Sequence, residues 1–174
     1  MSTPGAKLRT DIIDVYVFRR PERDVLLDNA PQFLQMLRSG PPLDNTWQPV
    51  MGHMEPWETA PQCALRELEE ETGLARESDE LLGFWALDQV HPFYIAELDS
   101  VVMSPRFAAE AAPGWEPRLN AEHSVVRWVT QGTLEESFMW PGQRAALREV
   151  VSEILAVSSL CRDRLRVEHR GVKR

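Results

Sequence analysis

Glu67, Glu70 and Glu71 lie in one short run, Arg66-Glu67-Leu68-Glu69-Glu70-Glu71, and their spacing decides what they can do together. On a helix turning about 100° per residue, positions i, i+3 and i+4 share a face, so these carboxylates fall in a narrow arc while Glu69 points away. Leu65 and Leu68 mark the adjoining apolar face, which sets the acidic patch beside a core. Carboxylates so close repel one another unless a cation lies among them, and a hard divalent ion with oxygen ligands answers that need. Magnesium suits such a donor set, with manganese as the alternative. Taken alone, a Glu-rich turn reads more plainly as a solvated helix face.

The flanking residues change that reading. Gly52 precedes Glu58 by six positions, Arg66 follows Glu58 by eight, and Thr72-Gly73-Leu74 closes the run. At all nine defined positions this segment resembles the Nudix box: Gly, any five, Glu, any seven, Arg-Glu, an aliphatic residue, any one, Glu-Glu, any one, Gly, an aliphatic residue. The resemblance implies an α/β/α sandwich with a mixed central sheet, in which the box forms a loop, a helix and a loop. It implies that Glu67 and Glu71 ligate metal, that Glu70 is another ligand or the general base, and that the Gly52 carbonyl adds an oxygen. Arg66 would orient the carboxylates, and Glu58 would meet the metal cluster through water. Glu122, in Asn120-Ala121-Glu122-His123-Ser124, resembles a late acidic residue that completes the metal site or serves as base in several members. Arg38 resembles the family's phosphate-contacting arginine. An exposed loop carboxylate and a surface arginine are their plainer readings.

Such a centre suits a phosphoanhydride, whose anionic oxygens repel a nucleophile until cations neutralise them and a carboxylate takes a proton from water. Trp47, Trp85 and Trp140 lie near segments that line the family's cleft, where each could stack on a ring system, although a core role is commoner for each. Trp140-Pro141-Gly142-Gln143-Arg144 resembles a stretch of bacterial Nudix dATP pyrophosphohydrolases, and the Glu122-His123 pair is similar to dihydroneopterin triphosphate pyrophosphatase. The expected reaction converts a nucleoside or pterin triphosphate to a monophosphate and pyrophosphate, with Arg38, Trp47, Trp140 and Arg144 contacting substrate. The ADP-ribose branch usually has proline where this chain has Gln89, and the dinucleoside polyphosphate branch a tyrosine to which Tyr94 corresponds poorly. Both remain as alternatives, as does a Nudix module that binds nucleotide without cutting it.

The elements needed to position these groups are legible in outline. Asp11 to Phe18 is β-branched and aromatic and reads as a strand; Phe33 to Arg38, closed by Ser39-Gly40-Pro41-Pro42, reads as another. Trp47 to Met51 is a short extended piece. Thr59 to Glu71 carries helix signals: Thr59 as N-cap, Pro61 in the first turn, Gln62 completing a capping box, and Gly73 as the stop. Leu81 to Leu87, Phe93 to Met103 and Ser124 to Val129 read as strands, and Pro141 to Val157 as an amphipathic helix. The strand order extends the resemblance over residues 8–157, leaving 158–174 as a basic C-terminal tail, expected to fray at the surface.

The bulk properties agree with one folded domain. The chain has 174 residues, 43% hydrophobic and 26% charged, which suffices for one substantial core. A net charge of -8 argues against stable nucleic-acid binding and against an RNA decapping role, since phosphate backbones are held by surplus Lys and Arg. No apolar run is long enough to span a bilayer, and the first residues lack the apolar core of a secretory signal, so a cytoplasmic location is expected. Cys63 and Cys161 are too few for a disulfide framework and read as packed thiols. A homodimer is left open.

Overall fold

The computed structural model describes residues 5–21, 30–41 and 43–169. Strands β1 (Lys7–Arg9), β2 (Ile12–Arg19), β3 (Gln32–Arg38), β4 (Trp47–Gln48) and β5 (Val50–His53) precede helix α1 (Ala60–Thr72). There follow β6 (Leu81–Ala86), β7 (Phe93–Ile95), β8 (Ser100–Val102), β9 (Arg106–Ala111), β10 (His123–Thr130), the single turn α2 (Leu134–Ser137), α3 (Pro141–Glu149) and a short α4 (Arg162–Leu165). The main sheet runs β10-β3-β2-β9-β6, with β4 added to β3 and β5 to β2; β2 and β9 are parallel and the other pairs antiparallel.

Alternation along β2 sorts the two faces. Ile13, Val15 and Val17 join Leu34, Met36, Phe84 and Phe107 in a core beneath α1, where they meet Cys63, Ala64, Leu65 and Leu68. Tyr16 and Phe18 join Phe33 and Trp85 in a second core on the opposite face, closed by Ala146, Leu147, Val150 and Ile154 from α3 and the π-type turn that continues it over Val150–Leu155. The protein is thus an α/β/α sandwich around a mixed sheet. Among the described residues no helix is long and apolar enough to cross a membrane.

Several elements depart from the sequence-based expectations. Trp47 to Met51 splits at Pro49, which has no N–H to give a ladder: Trp47 pairs with Leu37 on β3, while Met51 pairs with Asp14 on β2. Phe93 to Met103 is a hairpin, β7 and β8, reversing at Asp99, whose φ of 43° short polar side chains tolerate. With β1 it forms a separate three-stranded sheet. Strand β9 was not expected at all, because its Arg-Phe-Ala-Ala-Glu-Ala sequence is poor in β-formers; all six residues are buried, and small alanines let both faces pack closely.

The tail is also corrected. Residues 162–169 do not fray but lie along the outer edge of β6, with an Arg166–Trp85 bridge and the Val167 N–H donating to the Phe84 carbonyl at 2.8 Å. His169 is buried and its carbonyl accepts from Arg76 Nε. Residues 170–174 lie outside the described residues. Trp85, a candidate for ring stacking, is a core residue at 1% exposure. Cys63 is buried as expected, whereas Cys161 is exposed.

Candidate active site

Helix α1 begins and ends as its sequence directs. The Thr59 backbone N–H donates to Gln62 Oε1 at 2.9 Å, and Gly73 takes the left-handed conformation at φ 76°, returning its N–H to the Glu69 carbonyl at 2.8 Å. Leu65 and Leu68 are buried against the sheet, which turns Glu67 and Glu71 toward β5 and leaves Glu69 and Glu70 exposed.

Glycine at position 52 makes room for the first of these carboxylates. A Cβ there would fall 2.1 Å from Glu67 Cγ and 2.2 Å from its Cδ, far inside contact distance. The next strand position reaches the second, the Met51 N–H facing Glu71 Oε2 at 3.4 Å. Glu71 is only 3% exposed, and burial followed by the charge of Glu67 pushes its carboxyl up to about 9. Burial likewise raises Glu67, with Glu70 and Glu122 adding to the shift. Two carboxylates that resist ionising together, beside the Gly52 backbone, fit a divalent cation.

Arg66 ties the surrounding loop to this helix. Its Nε and Nη2 grip Glu58 at 2.7 and 2.9 Å, Nη1 reaches Glu67 at 2.7 Å and Glu70 at 3.1 Å, and Nη2 also donates to the His53 carbonyl at 3.1 Å. Hydrogen bonding to Arg66 holds the Glu58 carboxyl down at about 2. With Glu67 turned onto Arg66, no three acidic, histidine or cysteine side chains among the described residues converge as a ready coordination shell.

Arg38 and Glu122 face each other at 3.2 Å where β3 ends and β10 begins, and both act electrostatically on Glu71. The structure therefore brings Gly52, Glu58, Arg66, Glu67, Glu70, Glu71, Arg38 and Glu122 into one neighbourhood. The remaining sequence candidates have other partners. Trp47, half-buried, has the Arg127 guanidinium over its ring at 4.1 Å. Trp140, 47% exposed, precedes α3 and accepts from the Gln143 and Arg144 N–H groups. Arg144 donates to the Phe138 and Met139 carbonyls at 2.9 and 2.8 Å and pairs with Glu135, so its contacts brace the turn before α3.

Polar residues that sequence reasoning passed over occupy the sheet face under α3. Asp14, Tyr16 and Arg106 form a buried set, with Arg106 Nε on Asp14 at 3.1 Å and Nη1 on the Gly142 carbonyl at 2.8 Å. Gln35, fully buried, accepts from Arg127 Nε at 2.9 Å. Each pair joins residues 92 positions apart, and no local pattern signals such a contact.

The site is thus an acidic helix set against a glycine-bearing strand in a mixed-sheet α/β/α sandwich. A family model described as the NUDIX domain matches residues 18–150, and the chain belongs to that family, whose hydrolases generally need divalent metal ions. An octanoyltransferase of Myxococcus xanthus is 33% identical over 147 residues, covering 83% of this chain but 37% of that protein, so the chain spans little more than a third of that relative's length. Among solved structures, an Ap4A hydrolase of C. elegans superposes with a TM-score of 0.65 at 18% identity, covering 82% of this chain and 96% of that one. The E. coli dihydroneopterin triphosphate pyrophosphohydrolase gives 0.62 at 21%, covering 83% and 96%. At these identities the likeness is one of fold.

Proposed function

We propose that this chain is a magnesium-dependent pyrophosphohydrolase that converts a nucleoside or pterin triphosphate to its monophosphate and pyrophosphate. The observation that carries the reading is the pair of half-buried Glu67, against Gly52, and buried Glu71, against the Met51 N–H, with Arg66 gripping the loop and Arg38 paired with Glu122 nearby. Glu67, Glu71 and the Gly52 carbonyl would hold the cation, with Glu70 or Glu122 completing its shell and Glu58 acting through water. When bound, a divalent ion neutralises phosphate oxygens and lowers the pKa of water. Glu70 and Glu122 are the exposed carboxylates of the set and the candidates to take the proton of the attacking water. Arg38 sits where a phosphate oxygen could replace Glu122 as its partner. The bound partner is a small molecule; the family setting favours nucleotide-type ligands.

Purified protein should be inactive in EDTA and recover with magnesium or manganese. The substrate is tested by comparing dATP, dGTP and dihydroneopterin triphosphate with ADP-ribose and diadenosine tetraphosphate, identifying both products. Faster cleavage of either of the last two would replace the triphosphate reading and leave the metal centre standing; the Ap4A hydrolase fold likeness makes the dinucleotide the second reading to test. Stacking on an indole is worth roughly 1–3 kcal/mol. Trp140→Ala or Trp47→Ala should therefore raise KM about one to two orders of magnitude and change kcat less.

A further inference from the structure

The small sheet β1-β8-β7 is separate from the main sheet, and its two faces are unlike. Register pairs Leu8 with Val101 and Val101 with Tyr94, so these three form one row across the strands. Ser100 and Val102, on either side of Val101, point the other way and are buried. The row itself faces outward, with Leu8 65% and Tyr94 57% exposed. Met103, two residues on from Val101, and Leu98, in the turn between β7 and β8, are exposed as well. A sheet face turned to water ordinarily presents polar side chains, and here it presents leucine, valine and tyrosine. The Tyr94 hydroxyl already donates to Asp99 at 2.9 Å, so its ring can be covered without orphaning a polar atom. An apolar outer face of this kind marks a contact surface.

The charges around the row indicate what covers it. Lys7 lies on the β1 side, level with Ser100, and its backbone N–H donates to the Asp99 carbonyl at 2.8 Å. Glu97 lies at the same end of the sheet but in the turn between β7 and β8. Hydrogen bonding to Asp99 raises the Tyr94 phenol, and the charge of nearby Glu97 adds to the shift. Lys7 and Glu97 are both exposed, and neither has an ion-pair partner among the described residues. A basic group on one side of an apolar row and an acidic group on the other make a self-complementary pattern. A two-fold axis parallel to β8 and through Val101 sets Val101 over its own copy and Leu8 over the partner's Tyr94. The same rotation carries Lys7 toward the partner's Glu97, and each contact occurs twice. With a net charge of -8 on each copy, association needs such a place, where base meets acid.

We propose that the outer face of the β1-β8-β7 sheet is a two-fold interface between copies of this chain, packing Leu8, Val101 and Tyr94 face to face with Lys7 of each copy against Glu97 of the other. Sedimentation velocity of the full chain at physiological salt tests it. The protein should pass from monomer to dimer between about 1 and about 200 µM, the range suited to an interface of this modest size. Leu8→Lys should raise the dissociation constant at least ~tenfold, with the Tm of the monomer unchanged because Leu8 is exposed. Lys7→Glu and Glu97→Lys should each weaken the dimer about tenfold, since each turns two attractive pairs into repulsive ones. An equimolar mixture of these two variants should recover the dimer, because the mixed pair again sets acid on base at both places. A wild-type chain that stays monomeric to about 200 µM would overturn the proposal whether or not the variants fold. So would a dimer indifferent to Leu8→Lys, or charge variants whose mixture associates no better than either alone.

Discussion

Glu67, Glu69 and Glu71 share a helix and a chemistry yet have three different environments, and that difference is testable. Glu67 fills the space left by Gly52, Glu71 is buried against the Met51 N–H, and Glu69 is exposed. Glu67→Gln or Glu71→Gln should lower turnover by at least ~10²-fold, while Glu69→Gln should leave it nearly unchanged. Matching mild losses at all three would move the centre elsewhere. Glu71 adds a pH signature. Its carboxyl stands at about 9 in the folded chain against an ordinary value of 4.5, so between those values the folded protein keeps a proton that the unfolded chain has released. In chelator, stability should fall as pH rises through that window. A cation displaces the proton, so the Tm gained on adding magnesium should grow from about pH 5 to about pH 8. A gain that ignores pH would separate Glu71 from metal binding. The arc occupied by Glu67 and Glu71 was readable from helical spacing; the outward turn of Glu70 onto Arg66 was not, because it depends on where the loop carrying Glu58 comes to rest.

The loop from His53 to Glu58 and helix α1 act as one piece because the Arg66 fork binds both. Arg66→Lys keeps the charge but cannot hold Glu58 through two nitrogens while also reaching Glu67 and the His53 carbonyl. The expected result is a drop in turnover of about tenfold or more with Tm lowered only slightly, checked by parallel kinetics and thermal denaturation. A large fall in Tm with normal turnover per folded molecule would make Arg66 a structural residue alone. At this scale the sequence spoke clearly where signals were local. The N-cap at Thr59, the stop at Gly73 and the stiff apolar run of β2 all concern neighbours a few residues apart. Strand β9 went unseen because its alanines are strand residues only by virtue of what packs on both faces. The β7–β8 hairpin was hidden by continuous hydrophobicity, since the reversal at Asp99 rests on local side-chain hydrogen bonds such as Tyr94 to Asp99.

Across the whole molecule, the basic segment expected to fray closes one margin of the main sheet. Residues 162–169 cover β6, with Arg162 and Arg166 over Trp85 and Arg76 holding the His169 carbonyl. Ending the chain after Cys161 should lower Tm and, by baring a sheet edge, promote association, read by light scattering. Unchanged Tm and a monodisperse truncated protein would reduce the segment to a passive cover. The topology also governs timing. Strand β2 meets β9, and β3 meets β10, across separations of 92 residues, as at Asp14–Arg106 and Gln35–Arg127. Contacts so far apart form only after long loops close, which places folding in the slow range of roughly milliseconds to seconds. Helix α1 can turn early and still be inert, because the strand behind Gly52 is fixed only when its distant partner arrives. On dilution from denaturant, helical circular dichroism should therefore recover before catalysis, and catalysis together with the burial of Trp85. A newly made copy would accordingly stay inert until the last long-range strand has docked.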